Sequence, residues 1–233
     1  MGQDITQLKR LAAATAMKEV QDGMVLGLGS GSTTTMFVEM LGERMSRDEL
    51  TNIVAVPTSE STTRQARKLG IPLTDLASHP ELDLAVDGAD EVDPSLNLIK
   101  GLGRALLREK VVEIHARRLV VIVDDTKLVP RLGSHVPLPV EILPFQAESH
   151  LRWLRTLGCR VEYDAGPDGK PIVTDNGNYL AHCWFTDVGG IRDCYHLARL
   201  LADRPGILEH GLFLDMADEV IVATPGGIRV EKR

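Results

Sequence analysis

Between Leu82 and Glu113 the chain gathers side chains able to move protons. The segment reads LDLAVDGADEVDPSLNLIKGLGRALLREKVVE. Its apolar opening, Leu82 to Val86, predicts a buried strand. The strand breaks at Asp87-Gly88-Ala89-Asp90-Glu91, mostly residue types that rarely extend one. Carboxylates just past the carboxyl end of a strand lie where open α/β sheets place their ligand crevice. Lys100 follows, with Gly101 and Gly103 beside it, and then a helix carrying Glu109. Two aspartates, a lysine, a glycine turn and a glutamate suffice for proton transfer on a polar substrate. The same residues also admit a plainer reading, a solvated acidic turn and a surface lysine.

Helical spacing separates these readings at Glu109. Arg108 and Lys110 flank it in sequence, yet Ala105 and Leu106 lie four and three residues before it and Val112 three after. That spacing puts Glu109 on an apolar stripe, while Arg104, Arg108 and His115 line another face. Burial of a carboxylate there disfavours its charged form and suits it to act as a base near neutral pH. The alternative is a glutamate at the edge of the stripe, paired with a lysine.

A second motif comes early. Met24 to Gly29 predicts a strand, followed by Ser30-Gly31-Ser32-Thr33-Thr34-Thr35 and the helical pattern Met36, Phe37, Met40, Leu41. A strand, a glycine turn and a hydroxyl-rich helix start form an anion site, because backbone N–H groups and the helix dipole point at the ligand. Gly27 and Gly29 begin a dinucleotide fingerprint, but Ser32 stands where its third glycine belongs, and no G-K-[ST] follows. The motif therefore predicts phosphate rather than dinucleotide binding, against the plainer alternative of a serine-capped turn.

These motifs need a frame. A helix is predicted over 4–20, with further strands at 52–56, 71–76, 82–86 and 119–123. Loops 30–33, 58–62, 87–91 and 124–127 all follow strands, and a parallel sheet would gather them on one edge. Lys127 then offers a second cation. After Pro130 the pattern becomes strand 136–143, helix 147–157, strands 159–163 and 179–185, helix 190–202 and strand 207–214. That βαββαβ order is the split βαβ of ferredoxin-like folds. Strands at 219–223 and 228–230 are expected to rejoin the first domain. The predicted fold is α/β: a mostly parallel sheet domain with helices on both faces, residues 1–132 and 212–233, plus a smaller ferredoxin-like α+β domain, residues 133–211.

Bulk properties narrow the partners. The 233 residues are 43% hydrophobic and carry a net charge of −7, which disfavours nucleic acid and anionic membranes. Nothing approaches a membrane span of about 20 apolar residues. The first twenty residues include Asp4 and Glu19 and do not read as a signal peptide. Three cysteines without a C-x-x-C pair fit a reducing cytoplasm. The seven histidines show no metal-ligand pairing, and the spacing of Asp87, Asp90 and Asp93 is not that of an EF-hand loop. No metal and no cofactor are expected.

Taken together, the motifs resemble type A ribose-5-phosphate isomerases over essentially the whole chain. The resemblance rests on Gly29-Ser30-Gly31-Ser32-Thr33, on the VDGADE run at 86–91, on Ile99-Lys100-Gly101 and on Leu107-Arg108-Glu109-Lys110. Asp125-Thr126-Lys127, PLPVE at 137–141 and VTDNGN at 173–178 complete it. It implies interconversion of ribose 5-phosphate and ribulose 5-phosphate without metal, in a homodimer or tetramer. Glu109 matches the family's catalytic base, Asp87 and Asp90 its sugar-contacting aspartates, and Lys100 its lysine. Ser30, Gly31, Ser32 and Thr33 match the loop around the substrate, with Lys127 and Lys9 near the phosphate. Gly88, Ala89, Gly101, Leu102 and Gly103 complete the expected binding set.

Two departures stand out. The family's lysine is usually followed by three glycines, whereas here the run is Gly101-Leu102-Gly103-Arg104, which predicts a stiffer or displaced loop. Pro57-Thr58-Ser59-Glu60 replaces a serine run. An amino-sugar phosphate deaminase or a lactonase would want a histidine near the acidic loop, and none lies between His79 and His115. A sugar-phosphate sensor would carry a basic DNA-binding segment, which the sequence does not show.

Overall fold

The computed structural model describes residues 5–233; the predicted helix start at residue 4 lies outside them. The chain divides into two compact units. The first takes residues up to Ala89, Arg108–Lys127 and Met216–Arg233; the second takes Asp90–Leu107 and Leu128–Asp215.

The first unit is built on a six-stranded sheet. Its strands are β1 (Val25–Leu28), β2 (Val54–Pro57), β3 (Leu84–Asp87), β6 (Leu119–Asp124), β12 (Glu219–Thr224) and β13 (Gly227–Lys232). Their order is β13-β12-β6-β3-β1-β2, parallel except for the β12–β13 hairpin. The apolar runs alternate between two faces, as a pleated strand requires. Leu26, Leu28, Leu84, Val86, Val120 and Ile122 pack with α1 (Ile5–Ala16), through Leu8 and Ala12, and with α2 (Ser32–Ser46), through Phe37 and Leu41. Ala66 of α3 (Glu60–Lys68) joins the same cluster. Val25, Val56 and Leu82 point the other way, onto Val112 of α4 (Leu106–Glu113). Helices thus cover both faces, as expected.

The second unit holds a four-stranded antiparallel sheet in the order β10-β7-β9-β8, from β7 (Leu138–Ile142), β8 (Arg160–Tyr163), β9 (Tyr179–Trp184) and β10 (Ile207–His210). Helices α5 (Ala147–Arg155) and α6 (Cys194–Ala202) share one apolar cluster with it, through Leu151, Leu154, Leu197 and Leu201 against Val140, Ile142 and Ala181. This is the predicted split βαβ arrangement. A three-stranded sheet of β4 (Glu91–Val92), β5 (Leu98–Ile99) and β11 (Leu212–Phe213) completes the unit.

Two expectations differ from this picture. Residues 71–76 form no strand; only an isolated bridge joins Leu73 to Ala55, and Pro72 offers no N–H to extend it. Residues 90–107, 128–132 and 212–215, expected in the first domain, group with the second unit. The reason is local hydrogen bonding. β5 pairs with both β4 and β11, and the buried Glu91 carboxylate accepts the backbone N–H groups of Gly133, His135 and Val136.

Candidate active site

In the first unit, β1 lies between β2 and β3, so the chain runs outward one way after β1 and then crosses to its other side. The gap beyond the carboxyl ends of β1 and β3 is therefore the topological switch point, the usual ligand crevice of such sheets. Asp87 closes β3 there and is almost fully buried. Its Oδ1 accepts three hydrogen bonds: from Ser30 N at 2.9 Å, Gly88 N at 2.7 Å and Thr34 Oγ1 at 3.1 Å. Such proximity requires glycine at position 29, because a Cβ there would meet Asp87 Cγ at 2.0 Å.

Ser30 ties the loops of this edge together. Its Oγ lies 2.8 Å from Thr58 Oγ1 and donates to Ser59 Oγ at 2.8 Å, while Thr62 Oγ1 donates to Gly29 O at 2.9 Å. Ser59 also caps α3 by accepting the Thr62 N–H. Thr58 and Ser59, which stand in place of a serine run, thus supply the hydroxyls that hold Ser30. Gly31, with φ +103, turns the chain into α2, whose first residues are Ser32 and Thr33. Lys9 of α1 donates to Ser32 Oγ at 2.9 Å. A cation, a helix N-terminus and hydroxyls meet at this loop, a combination that favours an anion. Lys127 is half-buried and ends the short 3₁₀ turn Asp125–Lys127 after β6, on the same edge of the sheet.

Glu109 is 4% exposed, as its spacing predicted, while Arg108 lies toward solvent and pairs with Glu60 of α3 at 2.8 Å. Glu113, one turn further, is equally buried. The carboxylate oxygens of Asp87, Glu109 and Glu113 come within 4.8 Å of one another. This all-oxygen set matches the ligand type of hard cations, and the sequence did not assemble it. Glu113 was overlooked although its i, i+4 relation to Glu109 was readable.

The other expected residues belong to the second unit. Lys100 is 2% exposed, and its ammonium lies 5.3 Å from the Phe213 ring centroid. Leu102 N donates to Asp90 Oδ2 at 3.0 Å. Gly101 has φ +109, and a Cβ there would approach Leu106 at 2.7 Å. Leu102 carries no positive φ, so the leucine introduces no backbone strain; the non-glycine positive φ falls on Arg104 instead. The acidic run is therefore shared: Asp87, Gly88 and Ala89 lie in the first unit, Asp90 and Glu91 in the second.

Residues 54–227 match the model of the ribose 5-phosphate isomerase A (phosphoriboisomerase A) family. The chain belongs to the ribose 5-phosphate isomerase A family. It accordingly interconverts ribose 5-phosphate and ribulose 5-phosphate in the pentose phosphate pathway. A ribose-5-phosphate isomerase A from Nitrobacter hamburgensis is 49% identical, with 97% of each chain covered. A probable ribose-5-phosphate isomerase 2 from Arabidopsis thaliana is 48% identical, covering 97% of this chain and 87% of that one. Among solved structures, a D-ribose-5-phosphate isomerase in complex with phospho-erythronic acid superposes with a TM-score of 0.95 at 40% identity, covering 99% of this chain and all of that one. The isomerase from Methanocaldococcus jannaschii gives 0.92 at 38% identity over the same coverage. Both units of the fold are thus those of ribose 5-phosphate isomerase A.

Proposed function

We propose that Glu109 is the general base of the isomerisation, shuttling a proton between C1 and C2 of the open-chain sugar through an enediolate. The observation that carries this reading is the buried Glu109 carboxylate grouped with Asp87 at the switch point of the parallel sheet. One carboxylate within reach of both carbons can take the proton from one and return it to the other. Negative charge then grows on the neighbouring oxygen, and the Lys100 ammonium is the group we assign to meet it. The sugar enters mostly as a ring. Asp87 is our candidate for the acid–base step that opens it, with Asp90 orienting hydroxyls. Ser30, Gly31, Ser32 and Thr33 hold the phosphate with Lys127 and Lys9, fixing the register of the chain above the base.

On this reading the carboxylate cluster handles protons and needs no metal. The chain works as a homo-oligomer, dimer or tetramer, without nucleic acid or membrane partners. Three cysteines without a disulfide favour the cytoplasm, and no helix among the described residues is long and apolar enough to cross a membrane.

The deciding experiment mixes the protein with ribose 5-phosphate in deuterium oxide after dialysis against EDTA. Ketose should form at the undialysed rate, with deuterium incorporated at C1. Activity lost on dialysis and restored by one divalent ion would assign the three carboxylates to a metal. Turnover without deuterium uptake would fit either direct hydride transfer or a proton returned before it exchanges, and loss of turnover in Glu109→Gln would single out the base.

A further inference from the structure

The turn after Lys100 contains a residue whose backbone is unfavourable on its own. Arg104 has φ +69, a left-handed conformation in which a Cβ crowds the chain. Such conformations persist where surrounding contacts over-determine them, and they gather at ligand clamps. Here the contact is explicit. The Arg104 guanidinium forks onto Asp164, with Nε on Oδ2 and a terminal nitrogen 3.2 Å from Oδ1. Asp164 is a firm anchor: its side chain is 11% exposed, its N–H donates to Leu180 O at 2.9 Å, and its carbonyl accepts Ile172 N–H at 2.8 Å. A two-point guanidinium–carboxylate pair fixes orientation as well as distance.

The turn has three further ties. Lys100 N donates to Gly211 O at 2.9 Å, Leu102 N to Asp90 Oδ2 at 3.0 Å, and Arg104 N to Gly101 O at 2.9 Å. The fork is thus a second tie at the end of the Lys-Gly-Leu-Gly run, beside the Arg104–Gly101 bond. His182 of β9 belongs to the same charged group as Asp90, Glu162, Asp164 and Arg104, and burial lowers its pKa, so it brings no competing positive charge at neutral pH.

We infer that Arg104, clamped by Asp164, is a positioning residue that holds the Lys100–Gly103 turn in the conformation the sugar phosphate meets. It acts through Lys100 and the Leu102–Asp90 contact and does not itself touch substrate. The inference rests on the reading that this turn binds the sugar. It also explains why arginine is accommodated in a run of glycines: the fork supplies an order that glycine would not.

The test compares Arg104→Gly, Arg104→Lys, Asp164→Asn and the double variant Arg104→Gly/Asp164→Asn. Glycine accepts φ +69, so Arg104→Gly should fold with a near-unchanged Tm. It should raise KM for ribose 5-phosphate and lower kcat/KM by about tenfold to a hundredfold, the cost of a small misplacement. Asp164→Asn should give a similar loss, the double variant no more than either single one, and Arg104→Lys an intermediate value, because an ammonium cannot fork. Amide hydrogen exchange across residues 100–105 should rise in Arg104→Gly. Wild-type kcat/KM in Arg104→Gly or Asp164→Asn, additive losses, or unchanged exchange would each overturn the inference. Faster exchange in Arg104→Gly together with wild-type KM and kcat in Lys100→Ala would uphold the clamp and reject the reading that this turn binds the sugar.

Discussion

Two buried carboxylates, Asp87 in the first unit and Glu141 in the second, share the same immediate chemistry. One oxygen of each accepts three hydrogen bonds: Asp87 Oδ1 from Ser30, Gly88 and Thr34, and Glu141 Oε1 from Thr174 at 2.8 Å, Asn176 at 3.1 Å and Asn178 at 2.9 Å. Both are almost fully buried. Their positions differ. Asp87 ends a strand at the switch point, with Glu109 and Glu113 beside it. Glu141 sits within β7 between β9 and β10, and its donors come from the 174–178 turn that it ties down. Burial and hydrogen bonding are therefore common to both. On the proposed function, what sets Asp87 apart from Glu141 is its place in the topology and the company of other carboxylates.

The sharpest test applies one substitution to both regions. Glu109→Gln should lower kcat by roughly 10²–10⁴-fold, the range of general acid–base groups, while binding of a sugar-phosphate inhibitor and the Tm change little. Near-normal kcat would move the base elsewhere, with Asp87 next in line. Glu141→Gln should do the reverse. It turns an acceptor of three donors into a group with donors of its own, so urea denaturation should show a loss of roughly 2–4 kcal/mol. The folded fraction should keep its kcat; a loss of kcat at full stability would erase the distinction between the regions.

A smaller effect is expected at the rim of the sheet. Lys127→Ala should raise KM for ribose 5-phosphate by about tenfold, the equivalent of one exposed phosphate contact of ~1.4 kcal/mol, and barely change weak turnover of unphosphorylated ribose. Equal effects on both would mean that the lysine acts elsewhere.

The smallest concerns pH. Burial lowers the His182 pKa, so the folded state keeps this ring neutral while the unfolded chain protonates it near the ordinary value of about 6.5. The stability it contributes is full above that value and is lost as pH falls below it. Denaturation midpoints at pH 7.5 and 5.5 should therefore differ less for His182→Gln than for the parent; an identical pH dependence would show that the ring titrates alike in both states.

What could be read from the chain follows from the length of each signal. The runs 82–86 and 119–123 are long and apolar enough to be strands on their own, and Glu109 announced its burial through Ala105, Leu106 and Val112. The βαββαβ rhythm after Pro130 was legible for the same reason. The two-residue strands Glu91–Val92 and Leu98–Ile99 were not, because so short a pair carries no period, and the second partner of Leu98–Ile99, Leu212–Phe213, lies far along the chain. The grouping of residues 90–107 with the second unit follows from the same pairings. Nor does a sequence show that Glu91 accepts the backbone of the 133–136 turn while Asp87, four residues earlier, accepts Ser30 N, Gly88 N and the Thr34 hydroxyl beside Glu109. That distinction arises from which backbone N–H groups the fold brings to each side chain. The Leu102 expectation was revised for a related reason: glycine-rich spacing suggests strain at every replaced glycine, but φ decides which position bears it.

The parallel pairing of β6 with β12 sets a timetable for synthesis. Leu119–Asp124 is a continuous apolar edge until Glu219–Thr224 arrives, and everything from Leu128 to Asp215 must be made in between. At ribosomal rates of about 5–20 residues per second, that edge waits several seconds beside the exit tunnel. The intervening unit has all its own strands by then and can fold while the first sheet is incomplete. An exposed LVVIVD edge is the kind of template that recruits a neighbouring chain. Chaperone demand for this protein should therefore concentrate in the interval before β12 emerges, and a ribosome stalled before Glu219 would release a chain prone to aggregate.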